Sequence, residues 1–287
     1  MSSLLLAHHD HSREWGDFFY VYPVISRRAR GVSIGVNLNP DKVCNFDCVY
    51  CEVDRQAKPR IRHVDVGILD KELRAMLEIW KTDALFQKEP FASAPKEWRR
   101  LNDIAFSGDG EPTTCPVFKE AVETVFNIRG ELAPKETKII LITNATCLDR
   151  PAVQEGLRVL QKGAHEVWAK LDAGTEDYYK LVNRSSVPFA RVLRNITETA
   201  RWLPLTVQSL FLRMHGQPPS EEEVMAYCDR LEEIIQAGGQ IQKLQLYTVA
   251  RPTREAWATA LSREELEHVA EIIKRRSSLL QELSYGD

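Results

Sequence analysis

The chain has 287 residues, a formal net charge of −3 at neutral pH and six cysteines. That length supports one large α/β domain with a full hydrophobic core, or two small ones. So small a charge excludes a global field that gathers nucleic acid, and the cysteines are too few for a disulfide scaffold. No apolar run nears the roughly 18 residues of a membrane span.

The first 30 residues read as an N-terminal extension packed on the core. Their apolar stretch is only LLLA, with no basic flank, so no secretory signal is expected and the chain is read as cytoplasmic. From residue 31 on, apolar strand candidates alternate with amphipathic helices. Strands are expected over 32–38, 103–108, 138–144, 166–172, 205–213 and 243–250. Helices are expected near 68–82, 116–128, 150–162, 189–202, 220–237 and 262–280, where apolar residues recur every three to four positions. Pro151 suits a first helical turn, and Ser220 and Ser262 precede acidic residues as N-caps do. Six strand–helix units in a row imply parallel strands, right-handed crossovers and outer helices. The expected fold is therefore α/β, a partial (β/α)6 barrel over residues 31–252. An open doubly wound sheet is the alternative. Residues 253–287 supply a C-terminal helix that completes the same domain.

Alternation along the strands orients them. In EVWAKLD, Val167, Ala169 and Leu171 point one way and Trp168, Lys170 and Asp172 the other. In VSIGVNLN, Ile34, Val36 and Leu38 oppose Ser33, Gly35, Asn37 and Asn39. The apolar set is expected under the outer helices. The polar set then lines a cavity, unlike the branched apolar filling of a closed eight-stranded barrel. On the fifth strand Ser209 and Arg213 share one face and Gln208 and Leu210 the other, and parity does not say which is inward. Gln245, Tyr247 and Arg251 on the sixth strand are further candidates.

After the first strand comes VCNFDCVYCE, with Cys44, Cys48 and Cys51 spaced C-x3-C-x2-C. Loops at the C-terminal ends of the strands carry the chemistry of α/β barrels. Two readings stand on spacing alone. One is zinc, with His63, His8, His9 or His11 as a fourth ligand. The other is an iron–sulfur cube held by three thiolates, its fourth iron open to another ligand. Cys115 and Cys147 each follow a strand end as well, and read first as ordinary loop thiols.

The cysteine loop, with Tyr50 just before its third cysteine, resembles the cluster loop of the radical S-adenosylmethionine (SAM) superfamily. Three later stretches share the resemblance: SGDGEPT at 107–113, LITNAT at 141–146 and WAKLDAG at 168–174. It implies one [4Fe–4S] cluster on Cys44, Cys48 and Cys51, with SAM chelating the open iron and the backbone near Tyr50 lying by the adenine. Gly108, Gly110 and Glu111 would receive the SAM amino group. Asn144, Lys170 and Asp172 would complete the cofactor-binding set, to which Ser209 and Arg213 are added as candidates from the fifth strand and not from the resemblance. The implied activity is reductive cleavage of SAM to a 5′-deoxyadenosyl radical that takes a hydrogen from a substrate. An external one-electron donor of the flavodoxin or ferredoxin type is implied as a partner.

The phrases NLNPDKVCNFDCVYC, FSGDGEPT, WAKLDAG and QLYTVARP also resemble a branch grouped with wyosine-type tRNA-modifying enzymes. That branch carries a second cluster on upstream cysteines, and here no cysteine precedes Cys44. Basic runs at 27–30, 55–63 and 95–100 suit tRNA or an anionic small molecule, and equally a solvated surface. A metabolite or peptide substrate, and more distantly a non-catalytic metal-binding module, are the alternatives.

Overall fold

The computed structural model describes residues 15–26 and 30–285. It is an α/β protein with mostly parallel strand pairing. Two compact units each draw on several stretches of chain. One comprises Met1–Val43, Ala57–Ile142 and Arg150–Glu166, the other Cys44–Gln56, Thr143–Asp149 and Val167–Asp287. Among the described residues no helix is long and apolar enough to cross a membrane.

The first unit holds strands β1 (Val21–Ser26), β2 (Gly31–Val36), β3 (Leu101–Phe106) and β4 (Lys138–Thr143, but for its last residue). β1 pairs antiparallel with β2, while β2, β3 and β4 run parallel in that order. Its helices are α1 (Val66–Lys81), α2 (Phe118–Leu132) and α3 (Pro151–Leu160). Helix α1 starts where the Asp65 carboxylate accepts the Ile68 N–H, and it buries Leu69, Leu73, Met76 and Leu77 at helical spacing. The same face buries Glu72, which accepts backbone N–H groups of Phe19 (2.7 Å), Tyr20 (2.9 Å) and Val21 (3.2 Å). Three donors on one carboxylate offset its burial and fix the approach to β1. Part of the expected N-terminal extension is thus a sheet strand. Most of the basic run 27–30, and His8, His9 and His11, lie outside the described residues.

The second unit holds β5 (His165–Lys170, from its third residue), β6 (Leu205–Leu210), β7 (Leu212–Met214), β8 (Ile241–Tyr247), β9 (Ala258–Ala260) and β10 (Gln281–Ser284). β5, β6, β8 and β10 are parallel in that order, and β7 and β9 form a separate antiparallel ribbon. The helices are α4 (Glu176–Asn183), α5 (Phe189–Ala200), α6 (Glu221–Gln236) and α7 (Arg263–Arg276). Ser220 and Ser262 cap α6 and α7 as their positions suggest, the second in a capping box with Glu265. In neither unit do the described strands close into a ring, the open arrangement that a partial barrel requires.

Three features depart from the sequence reading. The strand expected over 205–213 breaks at Phe211, whose N–H donates to the Tyr247 carbonyl at 2.9 Å before the chain enters the ribbon. Helix α4 is additional. The tail carries β9 and β10 besides its helix.

Candidate functional site

In the second unit the cysteine loop is held by backbone bonds at both ends. The Asp47 and Val49 N–H groups donate to the carbonyls of Asn183 (3.0 Å) and Val182 (2.9 Å), at the C-terminal end of α4 where carbonyls lack helical partners. The Cys51 carbonyl accepts from Arg254 N–H at 3.2 Å, and the Cys51 N–H turns back onto the Cys48 carbonyl at 3.0 Å. Val49 is fully buried with Val182, Leu210, Leu212 and Ala258, and Tyr50 packs against that apolar group. Arg254 pairs with Asp47 and Arg251 with Glu52, so side chains reinforce the same bracing.

All six cysteines are thiols, and the three in the loop are partly exposed. Each of those three sulfurs meets a nitrogen donor. Phe46 N–H reaches Cys44 Sγ at 3.5 Å, Asn183 Nδ2 reaches Cys48 Sγ at 3.5 Å, and Arg55 Nη2 reaches Cys51 Sγ at 3.6 Å. Burial, then the Asp172 charge, pushes the Cys48 thiol up to about 12 against the Asn183 donor. Burial works against the charge of Arg55, but the Cys51 and Cys44 sulfurs beside it prevail and hold the guanidinium above its usual range.

Asp172, just past β5, gathers four groups. Leu210 N–H donates to Oδ1 at 2.9 Å, with Lys170 Nζ 3.5 Å from the same oxygen. The Tyr50 hydroxyl and Asn183 Nδ2 (3.1 Å) donate to Oδ2. Lys170 also donates to the Tyr247 hydroxyl at 2.6 Å and lies 5.1 Å from the ring centres of both Tyr50 and Tyr247. Burial opposes the Lys170 charge, but Asp172 and Tyr247 outweigh it and keep its pKa above the usual lysine value. Burial and Asp172 together hold the Tyr50 hydroxyl well above the tyrosine range. Lys170 and Asp172, which the strand parity places on one face, thus form an ion pair beside Tyr50.

Asn144 forms an Asx turn, its Oδ1 accepting Thr146 N–H (3.1 Å) and the Thr146 hydroxyl (2.7 Å). Its Nδ2 donates to Asn45 Oδ1 at 2.7 Å, so this turn grips the cysteine loop directly. Ala145 sits there at φ +63°, steadied by Asn195 Nδ2 on its carbonyl at 2.9 Å.

In the first unit, Gly108–Glu111 is shaped by close backbone approach. A Cβ on Gly108 would stand 2.3 Å from Asn37 Oδ1, and one on Gly110 2.2 Å from the Val43 carbonyl oxygen. Asn37 answers with Nδ2 on Asp109 (2.8 Å) and Oδ1 accepting Asp109 N–H (3.2 Å). Glu111 is buried, and its Oε1 caps the following 3-10 turn by accepting Thr113 N–H at 3.1 Å.

Ser209 and Arg213 lie apart from the Lys170–Asp172 group. Lys170, Gln208 and Gln245 are register partners on one face, and Gln208 Nε2 donates to Gln245 Oε1 at 2.9 Å. Ser209 is on the opposite face, its hydroxyl 2.7 Å from Tyr227 on α6. Arg213 forks onto Glu265 of α7 through Nη2 (2.7 Å) and Nε (2.9 Å). Ser209 thus ties the sheet to α6, and Arg213 ties the ribbon to α7. Cys115 and Cys147 are buried, and Thr146 Oγ1 lies 3.6 Å from Cys147 Sγ. Sequence reasoning missed Asn183 and Asn45. Asn183 is a single amide without a motif, and Asn45 sits between two motif cysteines with nothing in the spacing to mark it; both are found only through the partners that the fold gives them.

Among the described residues, no three His, Cys, Asp or Glu side chains stand together as a site for a single metal ion. An iron–sulfur cube asks for something else, since each thiolate binds its own iron and donors to sulfur are part of its tuning. Three thiols in one braced loop, each with a nitrogen donor, fit that chemistry.

The family model described as the Radical SAM superfamily matches residues 38–231, more than half of the chain. The chain belongs to the radical SAM superfamily. The superfamily implies SAM and a [4Fe–4S] cluster. This radical SAM chain is 26% identical over 250 residues to a UPF0026 protein of Helicobacter pylori strain J99, covering 85% of the chain and 70% of that protein. It is 24% identical over 267 residues to a Brachyspira hyodysenteriae protein named GTPase Obg, covering 90% of the chain but only 34% of that longer relative. The chain therefore spans about a third of that relative's length. Among solved structures it is similar to TYW1 with a lysine–pyruvate adduct bound, at TM-score 0.56 and 15% identity, over 87% of this chain and 74% of that one. It is also similar to Streptococcus suis SuiB bound to S-adenosylmethionine, at TM-score 0.57 and 12% identity, over 88% and 50%. At these identities the likeness is one of fold, and it agrees with the partial barrel.

Proposed function

We propose that this protein is a radical SAM enzyme that cleaves S-adenosylmethionine reductively, with Cys44, Cys48 and Cys51 holding one [4Fe–4S] cluster. When bound, that cluster supplies the electron that breaks the S–C5′ bond of SAM, giving a 5′-deoxyadenosyl radical that abstracts a substrate hydrogen. The observation that carries the reading is the cysteine loop itself, in which every sulfur has its own nitrogen donor.

The chain's own residues contribute positioning. Asn144 and Asn45 hold the loop from one side, and α4 holds it from another. Asp172 orders Tyr50 and the β6 end through Leu210, and the charged Lys170 stays paired at its side. The apolar wall of Val49, Val182, Leu210 and Ala258 keeps water from the back of Tyr50. Lys170 and Tyr50 are proposed to face the cofactor, while Ser209 and Arg213 are left out. The resemblance assigns Glu111 with Gly108 and Gly110, in the first unit, to the SAM amino group; the reading of the second unit does not depend on it. An external one-electron donor of flavodoxin or ferredoxin type completes the reaction.

For substrate, the reading is an RNA base, supported by the exposed basic residues Lys58, Arg60 and Arg62 and by the fold likeness to TYW1. A metabolite or peptide is the second reading. It is favoured by the pairing of Arg251 with Glu52 and Arg254 with Asp47, which removes two cations from the loop's surroundings. Oxygen-free reconstitution followed by dithionite and SAM is expected to yield 5′-deoxyadenosine. A fully loaded protein that makes none refutes the activity. Binding to tRNA that weakens steeply with salt supports the RNA substrate, and no binding at low salt removes it.

A further inference from the structure

Arg55 is four residues beyond Cys51, outside the cysteine spacing that identifies the loop. Its Nη2 lies 3.6 Å from Cys51 Sγ, and its guanidinium faces Cys44 as well. Two of the three loop sulfurs thus share one fixed positive charge. Asn183, buried and also bonded to Asp172, serves the third. A thiolate cluster gains negative charge on reduction, so a cation and N–H donors at its sulfurs favour the reduced state.

We propose that Arg55 is a positioning residue that tunes the cluster, its guanidinium on Cys51 and Cys44 making one-electron reduction easier. The inference rests on the cluster reading above and adds a residue that neither the spacing nor the superfamily match assigns. Arginine suits the task because its charge persists at every working pH and its planar donors can serve two acceptors at once.

The experiment compares wild type, Arg55→Gln and Arg55→Lys after oxygen-free reconstitution. It reads iron and sulfide content and then the midpoint potential by EPR-monitored redox titration. Arg55→Gln is expected to load iron yet favour the oxidised state about tenfold more, about 59 mV lower for one electron. Arg55→Lys, which keeps the charge, is expected to recover most of that shift. Equal potentials in wild type and Arg55→Gln overturn the inference while leaving the cluster reading intact. Failure of both variants to load also overturns it, since Arg55 would then only brace the loop. Loading by Arg55→Lys but not by Arg55→Gln overturns it too, since the charge would then serve assembly of the site and not its potential. A wild type that takes up no iron overturns the cluster reading and this inference with it.

Discussion

Each unit buries an aspartate at the sheet, and the two are treated differently. Asp172 is 3% exposed and Asp103 on β3 is 7% exposed. Asp172 collects a lysine, a tyrosine hydroxyl, an asparagine amide and a backbone N–H. Asp103 has the Ser33 hydroxyl of β2. Burial, opposed by that one bond, raises the Asp103 carboxyl to about 6. Burial therefore sets the cost of a charge, and the donors around it decide whether the charge is kept. The unit with the cysteine loop concentrates its donors on one carboxylate, which in turn fixes Tyr50 and Asn183 beside two of the cysteines.

The strongest way to break this contrast is Asp172→Ala. It strands the half-buried Lys170 charge and removes the acceptor of Tyr50, Asn183 and Leu210. Loss of one partner from such a buried pair costs about 3–5 kcal/mol. Urea unfolding is expected to show that loss, with Asp172→Asn intermediate because one oxygen remains. A melt of Asp172→Ala within about 1 kcal/mol of wild type would mean that the hub does not hold the unit.

Asp103→Asn tests the other side. The folded pKa of Asp103 lies above its unfolded value, so the native state binds the proton more tightly. Its contribution to stability is full below about pH 4 and is lost as pH rises through about 6. A rise from the ordinary carboxyl value to about 6 corresponds to roughly 3 kcal/mol at most. The asparagine variant is expected to flatten the stability curve in that window. An unchanged slope between pH 4 and 6 contradicts the assignment of that slope to Asp103.

What the sequence made legible follows from local pattern. Cysteine spacing, strand–helix alternation and the shared parity of Lys170 and Asp172 are written in consecutive residues. The rest depends on register and docking. Ser209 and Lys170 are both polar strand residues, yet pairing of Lys170 with Gln208 puts Ser209 on the helix side. Arg213 reads as a cofactor arginine until Glu265, 52 residues later, is brought to it. Strand β10, with sequence QELS, has no apolar alternation and is a strand because β8 offers it a parallel edge. Asn183 gains its role from α4, a helix of eight residues with only a weak signal.

The smallest effect is expected at Glu111, where the first unit again buries a carboxylate. Here the acceptor caps its own turn, taking Thr113 N–H at 3.1 Å with Pro112 at the turn's start. Glu111→Ala removes the cap and is expected to cost about 1 kcal/mol, whereas Glu111→Gln keeps an acceptor oxygen in place and costs less. The two unfolding midpoints decide between geometry and charge. If glutamine is as damaging as alanine, the turn depends on charge, as the Asp172 hub does, and the contrast between the two units fails at this residue. If glutamine is benign, the turn tolerates loss of the charge, and Glu111→Gln becomes the variant in which SAM binding can be measured on an intact fold.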